Sequence, residues 1–177
     1  MKVWKLLKRT KVFSSRFVNV YADRVELANG KILDDYTVVE KPSIVMIVAT
    51  NTNNDIIVLR EYKHGAGEVL YTLPAGHKED KESTISAAQR ELTEETGYTG
   101  GSFADVGVLC DYPSKDIHKV FVVRAKELAL ITKVHHEETE VITWMALPIE
   151  QLKAQISNGE WKSSSALAAL VISGVLL

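Results

Sequence analysis

The sequence predicts an α+β fold, a mixed sheet with helices on its faces, and three observations carry that expectation. Short β-like runs separated by turn signals fill the chain as far as residue 75. A single strongly patterned helix follows, Ser83 to Thr96. Three more strand-like runs and two helical stretches complete the chain, and the order strands, helix, strands, helices is that of a sheet domain covered by helices.

Each element has its own signal. Phe17-Val-Asn-Val-Tyr21 alternates apolar and polar residues, and Asn29-Gly30 is a strong hairpin dipeptide. Lys31 to Glu40 reads as the returning strand, broken at Lys41-Pro42. Ile44 to Ala49 is a short apolar run of the buried-strand kind, and Ile56 to Leu59 pairs back across a turn at Asn51 to Asp55. In the helix, Ile85, Ala88 and Leu92 form one apolar stripe, Ser83 or Thr84 caps its start and Gly97 stops it. Phe103 to Leu109, Val120 to Arg124 and Val141 to Met145 read as strands, Ile149 to Ile156 and Ala166 to Leu176 as helices. The break at Pro42 divides the chain into a β appendage, residues 1–41, and a main domain, residues 42–177.

Composition narrows the class. A chain of 177 residues suits one domain with a proper core and a small appendage. A net charge of −2 excludes broad attraction to nucleic acid or anionic lipid. The lysine-rich N-terminus lacks a signal peptide's continuous apolar stretch, and the apolar C-terminal run is too short to span a bilayer. The single cysteine, Cys110, excludes an internal disulfide, reads as a small buried hydrophobe and fits a cytoplasmic location.

The informative stretch runs from Gly76 to Tyr98. On a helix Glu91, Glu94 and Glu95 stand at i, i+3 and i+4 and share a face. Like charges so placed cost a few tenths of a kcal/mol each in an isolated helix, so a sequence that keeps them opposite an apolar stripe is using them. Clustered carboxylates without a cysteine or histidine partner suit a hard divalent cation, Mg2+ or Mn2+, rather than zinc.

Gly76, Glu82, Arg90-Glu91-Leu92, Glu94-Glu95 and Gly97-Tyr98 fill nine defined positions over 23 residues, a pattern that resembles the Nudix box. The resemblance implies a loop–helix–loop in an α/β/α sandwich and a Mg2+-dependent pyrophosphohydrolase. It implies Glu91 and Glu95 as principal metal ligands with the Ala75 carbonyl beside them. Glu94 stands close by, and Arg90 orients the carboxylates.

Leu73-Pro74-Ala75-Gly76, with Arg60, Lys63 and Glu68 upstream and Pro113 16 residues beyond Gly97, is similar to the ADP-ribose and nucleotide-sugar pyrophosphatases. This likeness implies a nucleoside diphosphate sugar substrate touched by those four residues, and products NMP and sugar phosphate. It also implies a late acidic loop that supplies the base, here Glu138 or Glu140. Lys63 stands where the subfamily carries an arginine, and lysine lacks the planar bidentate fork. That departure keeps a GDP-mannose-type preference open beside ADP-ribose. A nucleotide-sensing module without turnover is the non-enzyme alternative, although such modules lose box glutamates and this chain keeps them. A nucleic-acid-directed relative would want a basic groove that the composition does not provide.

Residues 1–40 form a sheet too small to stand alone. The resemblance implies that they dimerise the protein and help cover the nucleotide base. Trp4, Phe17 and Tyr21 are the aromatic candidates for that contact, with core packing the plainer reading for each.

Overall fold

The computed structural model describes residues 2–131 and 142–177. Along the chain come β1 (Lys5–Ser14), β2 (Asn19–Glu26), β3 (Ile32–Glu40), β4 (Ile44–Asn51), β5 (Ile56–Lys63), β6 (Glu68–Thr72) and β7 (Ala75–His77). Helix α1 (Thr84–Thr96) follows, then β8 (Tyr98–Thr99), β9 (Ser102–Leu109), β10 (Asp116–Ile117), β11 (Val120–Leu130) and β12 (Ile142–Leu147). Helices α2 (Ile149–Ser157) and α3 (Ser164–Ile172) complete the described chain. The fold is α+β with mixed sheets, as the sequence predicts. Among the described residues no helix is long and apolar enough to cross a membrane.

The chain divides into two compact units. The first holds residues 1–43 together with 110–119, so the segment around Pro113 belongs to it and not to the second unit. Its sheet runs β1-β2-β3-β10, antiparallel except where β10 lies parallel to β3. The β2–β3 hairpin closes at the predicted Asn29-Gly30, with Gly30 at φ 83°, a conformation that glycine adopts without penalty. Residues 110–119 are fastened locally: Val39 N–H donates to the Lys115 carbonyl at 2.8 Å, Lys41 pairs with Asp116, and the Tyr36 hydroxyl donates to the Ser114 carbonyl. Trp4 meets Tyr36 edge-on, and Arg9 holds the buried Asp23 with two hydrogen bonds.

One strand of this unit escapes the sequence reading, and two expectations need correction. Strand β1 has no signal in the sequence, because every one of its residues is exposed and no face selects apolar side chains. Trp4 and Phe17 are about half exposed and not core, since Trp4 precedes β1 and Phe17 lies in the turn between β1 and β2. Cys110 is exposed, lying at the start of the stretch 110–119 that joins the first unit.

The second unit holds residues 44–109 and 120–177. Its sheet runs β12-β5-β4-β11-β8, with β6 on β5, β7 on β4 and β9 on β11. The β4–β11 pair is parallel and the other neighbours are antiparallel. Strand β4 is buried on both faces, and alternation decides what each face meets. Val45, Ile47 and Ala49 pack with Ala87, Ala88 and Leu92 of α1, whereas Met46 and Val48 pack with Ala166, Ala169 and Leu170 of α3. The sheet is therefore sandwiched, with α1 in one layer and α3 in the other.

Helix α1 matches its prediction. The Ser83 hydroxyl accepts from Ser86 N–H at 3.0 Å, and Gly97 ends the helix at φ 73° with its amide on the Thr93 carbonyl. Helix α3 is shorter than predicted. It starts two residues earlier, capped by Ser163, and stops at Ser173-Gly174, where Gly174 turns to φ 79°. Strands β5 and β11 run longer than their apolar cores suggest, because β6 pairs with the polar end of β5, and β9 and then β8 pair with the end of β11.

Candidate active site

A cavity of about 690 Å³ opens in the second unit where β7 pairs with the start of β4. Helix α1 provides one wall: Arg90, Glu91, Glu94 and Glu95 all line it. Strand β7 adds Ala75, Gly76 and His77, and Glu79 follows. Glu61 and Lys63 enter from β5, with Ser163 and Ser165 from the start of α3.

Arg90 organises the carboxylates. Its guanidinium donates to both Glu82 oxygens at 3.2 and 3.0 Å, to Glu91 at 2.8 Å, to Glu94 at 3.2 Å and to the His77 carbonyl at 3.0 Å. One planar cation with five donors thereby joins the loop before the helix, the strand and two helix carboxylates. These contacts hold the Arg90 proton still more firmly and keep Glu82 below the usual carboxylate range.

Glycine is required opposite Glu91. A Cβ at Gly76 would sit 2.0 Å from the Glu91 Cδ and 2.1 Å from an oxygen, so only the bare backbone leaves room for this carboxylate. Glu95 is held from the other side, accepting the Ala75 N–H at 3.0 Å. Burial pushes Glu95 up to about 8, helped by the nearby Glu91 and Glu61 and opposed by the Ala75 hydrogen bond. Burial also raises Glu91, against the pull of Arg90. Two carboxylates kept from water with too little positive charge beside them are ready to accept a cation.

The donor set fits magnesium. Among the described residues no three His, Cys, Asp or Glu side chains stand close enough to enclose a metal ion. Magnesium does not need such a cage, since it keeps several waters and takes one or two carboxylates plus substrate oxygens. Glu91 and Glu95 in an open cavity meet that demand, and the Gly76 cradle shows that the position of Glu91 is built.

The remaining predicted site residues divide. Lys63 lines the cavity, its ammonium 2.5 Å from Glu61. Arg60, on the opposite side of the same strand, lies 5.4 Å over the Tyr71 ring, and Glu68 pairs with Lys162 at 2.5 Å, so neither lines the cavity. Pro113 belongs to the first unit. Glu138 and Glu140 lie outside the described residues. Sequence reasoning missed Glu61, Ser163 and Ser165. Glu61 alternates with Arg60 on β5 and so faces the same way as Lys63, a two-residue signal that was available.

With this geometry the chain is placed by its relatives. A NUDIX domain model matches residues 40–169, and the chain belongs to that family of hydrolases. A nucleoside diphosphate sugar hydrolase N-terminal domain model matches residues 4–39. The chain is 27% identical over 157 residues to an ADP-ribose pyrophosphatase of Bacillus subtilis (strain 168), covering 88% of this chain and 84% of that protein. It is 31% identical over 152 residues to an ADP-ribose pyrophosphatase of Mycobacterium tuberculosis, covering 84% and 72% respectively. A crystal structure of an ADP compounds hydrolase shares the fold with a TM-score of 0.83 at 23% identity, over 98% of this chain and 93% of that one.

Proposed function

We propose that the protein is a Mg2+-dependent pyrophosphohydrolase that cleaves the diphosphate of ADP-ribose or a related nucleoside diphosphate sugar into NMP and sugar phosphate. The observation that carries this reading is the pair Glu91 and Glu95, the first held by Arg90 and the second by the Ala75 amide, both lining one cavity with Lys63. The two ADP-ribose pyrophosphatases that share most of its length support the substrate class.

Glu91 and Glu95 are the proposed metal ligands, with the Ala75 carbonyl beside them and Glu94 in support. A bound magnesium ion supplies charge neutralisation on the diphosphate and a water of lowered pKa. Arg90 keeps Glu91 from turning away, and the Ala75 amide holds the more deeply buried Glu95. Lys63 exchanges its partner Glu61 for a phosphate oxygen. The water oxygen bonds to one phosphorus, the bridging P–O bond breaks, and the water's proton passes to a carboxylate base, Glu138 or Glu140 by sequence position. A hydrolysis screen over nucleotide sugars, dinucleotides and NTPs with magnesium tests this. ADP-ribose or a nucleotide sugar should lead, and activity on NTPs alone would refute the substrate class. Lys63 in place of an arginine gives GDP-mannose a place in the screen.

The same reading makes the protein a cytoplasmic homodimer joined through residues 1–40. Val12, Phe13, Phe17 and Leu6 are all at least about half exposed on that unit, and apolar patches of this kind mark protein contacts. Light scattering on the full chain tests it, and a monomer at micromolar concentration would defeat it.

A further inference from the structure

Two walls of the catalytic cavity come from opposite layers of the sandwich. The carboxylates stand on α1, which packs on the Val45 and Ile47 face of β4. Ser163 and Ser165 stand at the start of α3, which packs on the Met46 and Val48 face. The cavity thus wraps the end of the sheet, acidic on one side and hydroxylic on the other.

The hydroxylic wall is fastened by residues that do not themselves line the cavity. Trp161 is buried and stacks on Tyr71, ring centres 5.7 Å apart and planes 14° from parallel. Its indole N–H donates to Gln155 at 3.2 Å, which ties the α2–α3 connection back to α2. Lys162 adds its ion pair to Glu68 at the start of β6. The connection is therefore clasped to the β5–β6 hairpin immediately before Ser163. Ser163 also accepts the Ala166 N–H at 3.4 Å as helix cap, a role that uses an oxygen lone pair and leaves its hydrogen to donate.

A diphosphate bound to a cation on the α1 wall has further oxygens that face away from that cation. Those oxygens need donors, and more carboxylates would repel them. We propose that Ser163 and Ser165 are substrate-binding residues that donate hydroxyl hydrogen bonds to the phosphoryl oxygens on the side away from the carboxylates. Lys162 and Trp161 are positioning residues that hold them there. This rests on the phosphoanhydride reading above and adds the second wall of that site.

The test measures the affinity of a non-hydrolysable, methylene-bridged analogue of ADP-ribose by calorimetry with magnesium present, alongside steady-state kinetics. Ser165→Ala should weaken the analogue at least about fivefold and raise KM by a similar factor with kcat nearly unchanged, as expected for a hydrogen bond to a charged group made equally in ground and transition states. Ser165→Thr should restore affinity. Ser163→Asp keeps a helix cap but sets a charge against the phosphate, and should weaken binding more than Ser165→Ala. Lys162→Ala should raise KM by a smaller factor and Lys162→Arg should not. Unchanged affinity in Ser165→Ala, with wild type binding normally, overturns this inference alone. If the wild-type protein does not bind the analogue, the phosphoanhydride reading fails and takes this inference with it.

Discussion

The two sheets of this protein are built to opposite rules. In the catalytic unit β4 is buried on both faces, and Val45, Ile47, Val48 and Ala49 expose nothing to solvent. In the first unit β1 exposes all ten residues, and among the described residues only Val25, Val38 and Asp23 are buried. The first sheet is held instead by pairing, by the Arg9–Asp23 ion pair and by Tyr21 and Asn19 donating to Glu40 at 2.6 and 2.8 Å. A core fixes side chains rigidly enough to aim carboxylates. A sheet held by pairing and ion pairs keeps apolar side chains such as Val12 and Phe13 exposed.

The largest effect expected from breaking this contrast lies in the rigid region. Glu91→Gln and Glu95→Gln should each lose at least about a hundredfold in kcat while remaining folded, since electrostatic stabilisation of this kind is worth about 3–4 kcal/mol. Circular dichroism and single-turnover kinetics check it. Stability is next. Leu92 is fully buried between α1 and the sheet, so Leu92→Ala should cost about 2–5 kcal/mol in urea unfolding. Val12 is 60% exposed, and Val12→Asp should leave the catalytic core folded but shift the mass measured by light scattering toward monomer. An equal loss of stability from both substitutions would erase the contrast.

Acid–base behaviour sharpens it further. Glu95 titrates higher folded than unfolded, so the folded protein holds the extra proton. That contribution is fully present below the ordinary glutamate range and is lost as pH rises toward about 8. The metal-free protein should therefore lose up to a few kcal/mol of stability across that window. Glu95→Gln should flatten the dependence, and magnesium should stabilise the wild type most at the alkaline end. Thermal melts across pH with and without magnesium measure this. The smallest effect belongs to the helix cap: Ser83→Ala removes the bond to Ser86 N–H and should cost about 1 kcal/mol in thermal unfolding.

What could be read in the sequence was local. The α1 boundaries, the shared face of Glu91, Glu94 and Glu95, and the Asn29-Gly30 turn each depend on spacings of a few residues. Arg90 could be assigned from the motif, but its reach back to Glu82 and the His77 carbonyl needed the fold. Strand β1 was illegible because a strand with two exposed faces has no alternation to read. Residues 110–119 join the first unit through pairing with β3, where Asp116 meets Val39 77 residues earlier, which no local pattern records. Ser163 and Ser165 reach the carboxylate cavity from the opposite layer, so their role depends on how α3 packs and not on their neighbours in sequence.

The central claim is that Glu91 and Glu95 receive a divalent cation, and Mn2+ binding tests it without recourse to turnover. Electron paramagnetic resonance of Mn2+ titrated into the full chain, in the presence of the methylene-bridged analogue, reports the free ion directly. Wild type should deplete free Mn2+ saturably, and the double variant Glu91→Gln/Glu95→Gln should not. Equal depletion by both proteins would contradict the account.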